Sequence, residues 1–252
     1  LACTAPDDTG SPAGEDWTLT WSDEFDGDGA VDPEKWVHDL GGDGWGNQQI
    51  EYNTDRVENA RQSDGFLVIT AIEEEYRGNT WTSARLKTQG LFAQTNGRFE
   101  ARIQLPQGVG IWPAFWMLGE DIESVGWPAC GEIDILEARG ADPYTVNAAI
   151  HGPGHSGGSA VYDSLTQDED LQSTAHVYAV EWDQDHIAWF FDDTLVMTAH
   201  PGKTNGSWVF DDDFFLILNV AVGGTYGGPP DDTTPSESRM FVDYVRVYER
   251  NR

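Results

Sequence analysis

Three carboxylates fall within six residues in the stretch Gly131-Glu132-Ile133-Asp134-Ile135-Leu136-Glu137. On an extended strand successive side chains alternate between faces, so Glu132 and Asp134 share one face and Ile133 and Ile135 the other. Glu137 has the parity of the isoleucines. One extra residue, a β-bulge, returns it to the face of Glu132 and Asp134. Long side chains leaning together then approach the ~5 Å separation at which one carboxylate attacks a sugar carbon and the other protonates the departing oxygen. Two plainer readings stand beside this one. The segment can be a half-solvated strand with its acids on the wet face, or a short helix with Ile133 and Leu136 three apart. Gly131, Gly140 and the Ile-x-Ile alternation speak against the helix.

The elements that must position these groups read as short strands. Residues 1–15 mix Pro, Gly, Asp and Ser and form an expected loose tail. Alternating or apolar runs follow at 17–21, 66–72, 81–88, 98–105, 112–118 and 144–151. Those at 176–182, 186–191 and 194–198 form a meander with acidic turns. Phe214–Val222 is nearly all apolar, hence buried on both faces, and residues 241–248 close the chain. Ser63-Asp64-Gly65 is a tight turn, and Asn96-Gly97 is a hairpin signal. No helical period is sustained. Many short strands at regular spacing, with no shift in composition, predict one all-β sandwich domain over 16–252.

Composition narrows the partners. A net charge of -30, from 44 acidic and 14 basic residues among 252, excludes nucleic acid and anionic membrane. It neither attracts nor repels a neutral polysaccharide. Eleven tryptophans supply broad faces suited to sugar rings, though also to a core. Two cysteines, Cys3 and Cys130, make no disulfide framework; Cys130 reads as a small buried thiol. The opening Leu-Ala-Cys is weak evidence of a lipidation site. No apolar run reaches membrane-spanning length.

Trp112-Pro113-Ala114-Phe115-Trp116, Gly126-Trp127-Pro128 and the acidic stretch together closely resemble family 16 of the glycoside hydrolases, in its laminarinase branch. Trp21-Ser22-Asp23-Glu24-Phe25, Gly46-Asn47, Ser83-Ala84-Arg85, His151-Gly152 and Val242-Asp243-Tyr244-Val245-Arg246-Val247-Tyr248 agree, in the family's order. The resemblance implies a β-jelly-roll sandwich of two antiparallel sheets with a concave substrate groove. It implies a secreted, extracellular, monomeric enzyme that cleaves internal β-1,3 bonds of laminarin-type glucans with retention; mixed β-1,3/1,4 glucans stay open. By the same resemblance Glu132 is the nucleophile and Glu137 the general acid/base, with Asp134 tuning the pair. The extra residue in Glu132-x-Asp134-x-x-Glu137 matches the laminarinase, agarase and carrageenase branches. Trp127-Pro128 favours the first, and the scarcity of lysine argues against a sulfated polymer. The rival reading is a non-catalytic glucan-binding lectin on the same sandwich, which has no need of the carboxylate trio.

Substrate contacts are expected from Asn47, Arg85, Trp112, Trp116, Trp127 and His151. Trp112 and Trp116 share parity, and the resemblance turns both into the groove. His155, His176, His186 and His200 have no metal-site spacing. The chemistry needs no cofactor. In the last strand, parity places Phe241, Asp243, Val245 and Val247 on one face, setting a carboxylate among apolar neighbours where it needs a partner. An arginine would serve. The resemblance implies instead a structural calcium ion on the convex side, with Asp243 joined by backbone oxygens near Glu24 and Gly65.

Overall fold

Runs that alternate in sequence become strands in the computed structural model, which describes residues 16–251. The first eight are β1 (Trp17–Asp23), β2 (Val37–His38), β3 (Glu51–Asn53), β4 (Ala60–Ser63), β5 (Phe66–Tyr76), β6 (Asn79–Ser83), β7 (Arg85–Lys87) and β8 (Gly97–Gln104). Next come β9 (Ile111–Gly119), β10 (Glu132–Ala138), β11 (Thr145–His151), β12 (Val161–Thr166) and β13 (His176–Asp183). The last are β14 (His186–Phe191), β15 (Thr194–Ala199), β16 (Phe214–Val222) and β17 (Glu237–Arg250). Single turns of helix, α1 (Ile122–Val125) and α2 (Gly224–Gly227), lie in loops.

Two sheets result. A seven-stranded sheet runs β12-β11-β10-β9-β16-β7-β2, and a ten-stranded one runs β15-β14-β13-β8-β17-β5-β6-β3, with β1 on β17 and β4 on β5. Every pairing is antiparallel except β3 with β6. The sheets face each other as a jelly-roll sandwich. Odd-numbered side chains of β9 (Ile111, Phe115, Met117) and even-numbered ones of β16 (Phe214, Leu216, Leu218) meet Phe99, Val180, Trp189 and Val245 between the layers. Burial of a side chain of this size contributes roughly 1.5–3 kcal/mol. Every residue of β16 is buried, as its composition requires. Cys130 is a buried free thiol whose pKa burial pushes up to about 11.

Several expectations need correction. Asn96-Gly97 closes no hairpin: β7 belongs to the seven-stranded sheet and β8 to the other, so the pair turns a corner between layers. Gly97 is needed there because its φ is +124° and a Cβ would stand 2.1 Å from the carbonyl oxygen of Tyr248. The single run 81–88 is two strands, β6 and β7, that change sheets at the fully buried Ala84. Strand β12 was not anticipated, because as an outer strand it lacks an apolar period. The expected tail, and Cys3 within it, lie outside the described residues.

Asp243 is the fourth correction. Against β8, Val242 pairs with Ile103 but Tyr244 with Arg102, so β17 bulges at Asp243. The bulge resets parity. Val242, Val245 and Val247 face the core, while Asp243 stands partly exposed and accepts a hydrogen bond from Arg102 Nη1 at 2.6 Å.

Candidate active site

The acidic stretch is strand β10, and it bulges. Against β9, Glu132, Ile133 and Asp134 pair with Leu118, Met117 and Trp116, then Leu136 with Phe115 and Glu137 with Ala114, which leaves Ile135 unpaired. Against β11, the same step falls between Asp134–Ala149 and Glu137–Asn147. The cause is visible in the core. Ile135 and Leu136 are consecutive, yet both are buried in it. Two side chains enter the core in a row, one alternation is lost, and Glu137 emerges on the face of Glu132 and Asp134. Burying both apolar groups, at roughly 1.5–3 kcal/mol each, outweighs a missing ladder hydrogen bond of about 1 kcal/mol. At the bulge the carbonyl of Asp134 accepts a hydrogen bond from Trp189 Nε1 at 2.8 Å. Trp189 lies on β14 in the opposite sheet and is fully buried. Neither the helix nor the plain acidic strand survives.

Each carboxylate has its own attendant. Trp127 Nε1 donates to Glu132 Oε2 at 2.5 Å, and Trp112 Nε1 to Glu137 Oε1 at 3.0 Å. His151 pairs across the sheet with Glu132. Its Nδ1 accepts the Gly157 N–H at 3.0 Å, so the ring proton sits on Nε2. That nitrogen stands 3.1 Å from Asp134 Oδ2 and 4.0 Å from Glu132 Oε1. The closer approach is electrostatic, since Asp134 Oδ2 has no partner in hydrogen-bond geometry. Glu132, Asp134 and His151 bring their polar atoms within 4.8 Å of one another, the spacing of a metal site. With its proton on Nε2, however, His151 turns no lone pair toward such an ion.

Trp116, on the same face, donates from Nε1 to Asn219 Oδ1 at 2.7 Å. Arg85 lies between two rings, its guanidinium carbon 4.7 Å from the Trp116 centroid and 4.9 Å from that of Trp45. Asp39 fixes it, with Arg85 Nε at 3.1 Å and Lys87 Nζ at 2.7 Å. Asn47 is exposed at the rim, where its carbonyl accepts the Thr225 N–H at 2.9 Å. A Cβ at Gly224 would meet that carbonyl at 3.0 Å and the Trp112 ring at 3.2 Å, so the glycine lets the Asn47 loop close over Trp112. Trp112, Trp127 and His151 therefore touch the trio, Trp116 pairs beside Asp134, Arg85 lies beyond Trp116, and Asn47 stands at the rim beyond Trp112. Trp127 is 49% exposed, its ring 6.0 Å from that of His151; Trp112 is nearly buried and packs on Tyr226 at 5.1 Å.

Sequence reasoning missed Asn219, Trp45, Asn147 and Tyr226. Asn219 carried a signal, as the sole polar residue of the run Phe214–Val222. Asn147 pairs across the sheet with Glu137 and donates to the Tyr226 hydroxyl. Tyr226, packed beneath Arg139, sits in a Gly/Pro loop with no strand periodicity to mark it.

The electrostatics follow from three acids in one buried site. Burial first, then the charge of Asp134, pushes Glu132 up to about 8; burial, then Glu132, pushes Glu137 up to about 7. Burial and the Glu137 charge raise Asp134 well above the carboxylate range. His151 and the two indole N–H groups pull the other way. The trio thus retains protons at a pH where isolated carboxylates have lost them.

The positions named for calcium converge at one corner of the ten-stranded sheet. Asp23 pairs with Val245, Val242 with Leu67, and Ser63 with Phe66 across the turn that holds Gly65. Oxygens there suit a hard cation. The chain's own cations reach them too: Arg246 grips Glu24 through two hydrogen bonds of 3.0 and 2.9 Å, and Arg102 takes Asp243 Oδ2.

Comparison with known proteins agrees with this geometry. The sequence model of glycosyl hydrolases family 16 matches residues 45–246. A beta-glucanase of Rhodothermus marinus is 44% identical, over 92% of this chain and 85% of its own length. A glucan endo-1,3-beta-glucosidase of Cryptopygus antarcticus is 37% identical over 93% of both chains. The solved catalytic domain of an endo-1,3-beta-glucanase (laminarinase) from Thermotoga petrophila RKU-1 superposes with a TM-score of 0.90 at 45% identity, covering 95% of this chain and all of that one. With its two-sheet sandwich, its bulged acidic strand and these relatives, the chain belongs to glycosyl hydrolase family 16.

Proposed function

We propose that the protein is an endo-acting, retaining β-1,3-glucanase that works outside the cell as a monomer on laminarin-type glucans. The observation that carries this reading is the bulge at Ile135, which turns Glu137 onto the face of Glu132 within a buried, aromatic-walled groove. Glu132 attacks the anomeric carbon from one side, and Glu137 gives its proton to the departing oxygen. Glu137, pushed up to about 7, still carries that proton in a substantial fraction of molecules near neutral pH. Glu132 must be an anion when it attacks, so the buried Asp134, itself raised well above the carboxylate range, is the group that carries the proton, leaving Glu132 steadied by the Trp127 N–H and by His151 Nε2. Water then enters, Glu137 accepts its proton, and the glycosyl-enzyme ester is hydrolysed with β configuration restored. A polymeric substrate suits extracellular action. The convergence of Glu24, Gly65 and Asp243 supports a structural calcium ion bound by Asp243 and backbone oxygens, remote from this chemistry.

The test is stereochemical. Glu132→Ala should abolish laminarin hydrolysis, and azide should restore an α-configured product by filling the nucleophile's position. Glu137→Ala should still form the glycosyl-enzyme from substrates with good leaving groups, and azide should then give a β product. Early laminarin products followed by NMR should be β; α-anomer appearing first sinks the role assignment. Intact chain that binds laminarin but releases no reducing sugar would establish the lectin reading instead.

A further inference from the structure

Directly paired residues of an antiparallel ladder project to the same face. One such row crosses the seven-stranded sheet as Tyr162, Ala149, Asp134, Trp116, Ile217 and Lys87. The next row holds Ser164, Asn147 and Glu137. The catalytic face therefore continues past the carboxylates, across β11, to the outer strand β12. On the other side of the trio the wall is built from Trp116, Arg85 and Trp45. Toward β12 the row drops to Ala149, which rises no higher than its β-carbon, and then rises again at Tyr162.

Tyr162 is 69% exposed, more than any other large apolar or aromatic side chain described. Among the described residues no hydrogen bond, ring contact or cation is recorded for it. It is neither core material nor a structural tie. Two strand spacings separate it from Asp134, roughly 9.6 Å between Cα atoms, a reach of about two sugar rings. Beside it Ser164 Oγ donates to Asn147 Oδ1 at 2.6 Å, leaving the hydroxyl oxygen as an acceptor. Beyond the strand lies a shallow cleft of ≈ 380 Å³ that Tyr162 lines together with Thr198 and Lys203.

We propose that Tyr162 is the ring platform of a distal subsite, which holds the substrate glucan on the side of the cleaved bond away from Arg85 and Trp116. This rests on the β-glucanase reading and extends it: the enzyme selects chains long enough to cross β11 and reach β12. An unbranched stretch of neutral glucan is the ligand, because a stacking face flanked by hydroxyl and amide groups recognises a sugar ring and needs no charge. The chain length that saturates the enzyme is set by this residue.

Tyr162→Ala should fold as the native protein does, since the ring is exposed. On long laminarin it should raise KM about fivefold, with kcat held, from the loss of one stacking contact. On an aryl β-laminaribioside, whose aglycone ends short of β12, kcat/KM should be unchanged. Cleavage of borohydride-reduced laminarihexaose should shift toward bonds that leave fewer glucose units over β12. Tyr162→Phe should behave as the native protein. Equal KM for native and Tyr162→Ala on long chains, or equal loss on long and short ones, overturns the proposal. Absence of native activity on both substrates sinks the glucanase reading instead. In that case retention in laminarin-containing native gels, with and without the tyrosine, still decides whether Tyr162 holds glucan.

Discussion

Strands β10 and β17 each carry one extra residue, Ile135 in the first and Asp243 in the second, and the two bulges do opposite things. In β10 the extra residue is apolar and is drawn into the core beside Leu136, so the residue after them, Glu137, is delivered to the groove. In β17 the extra residue is itself the acid, and the bulge carries it out of the apolar row to Arg102. One bulge assembles a reactive site by concentrating like charges. The other disperses charge by matching it with a cation. A carboxylate's role is thus set less by its neighbours in sequence than by which way the step in the ladder turns it.

Deleting one residue from each strand should separate the two functions most sharply. Removal of Ile135 restores regular alternation with Glu137 still on the groove face, but it takes away a buried side chain and draws the acid toward Glu132, and the misplaced pair should lower kcat/KM by about 10²-fold or more. Removal of Asp243 should leave the turnover of folded enzyme near native and act on melting temperature. Comparable activity losses from the two deletions would break the contrast.

Trp189→Phe comes next. It keeps most of the buried volume but deprives the Asp134 carbonyl of its 2.8 Å donor. Leaving that buried oxygen unpaired should cost about 1–3 kcal/mol of folding stability. As the bulge loosens, kcat should fall about tenfold with KM little changed, because the pair is displaced while the outer walls are not. A variant with lowered stability and native kcat would show that the Trp189 contact serves packing alone.

A third prediction concerns pH. The Trp112 N–H stabilises the Glu137 carboxylate and so opposes the upward push of burial. Trp112→Phe removes that donor, keeps Glu137 protonated to higher pH, and should move the alkaline limb of kcat/KM upward from about 7. Stability carries the same sign. A carboxyl whose pKa is raised by folding contributes stability at low pH that is lost as the pH rises through its folded value. Glu137→Gln should therefore gain melting temperature relative to the native protein at pH 8 and above, and none near pH 4. A pH-independent difference would remove Glu137 as the titrating group.

The smallest effect is expected at the Asp243 corner. Its contact with Arg102 is partly exposed, so Arg102→Met should cost about 0–1 kcal/mol. If calcium binds there as proposed, EDTA should lower the melting temperature of the native protein and excess calcium should restore it. An unmoved melting temperature would leave Arg102 as the partner of Asp243.

The sandwich was legible in the sequence because alternation, an apolar nine-residue run and regular turns are properties of the chain itself. Glu132, Asp134 and Glu137, and most of the groove's tryptophans, were marked by residue type and spacing. What required tertiary structure was direction. Whether Ile135 enters the core beside Leu136, or Asp243 leaves it for Arg102, depends on the facing strands, and period-two alternation contains no record of a skipped step. Asn147, Asn219 and Tyr226 likewise became site residues through partners 103 residues away (Trp116 with Asn219) and 79 residues away (Asn147 with Tyr226). Local sequence determined which groups were present; packing between the two sheets decided which of them meet.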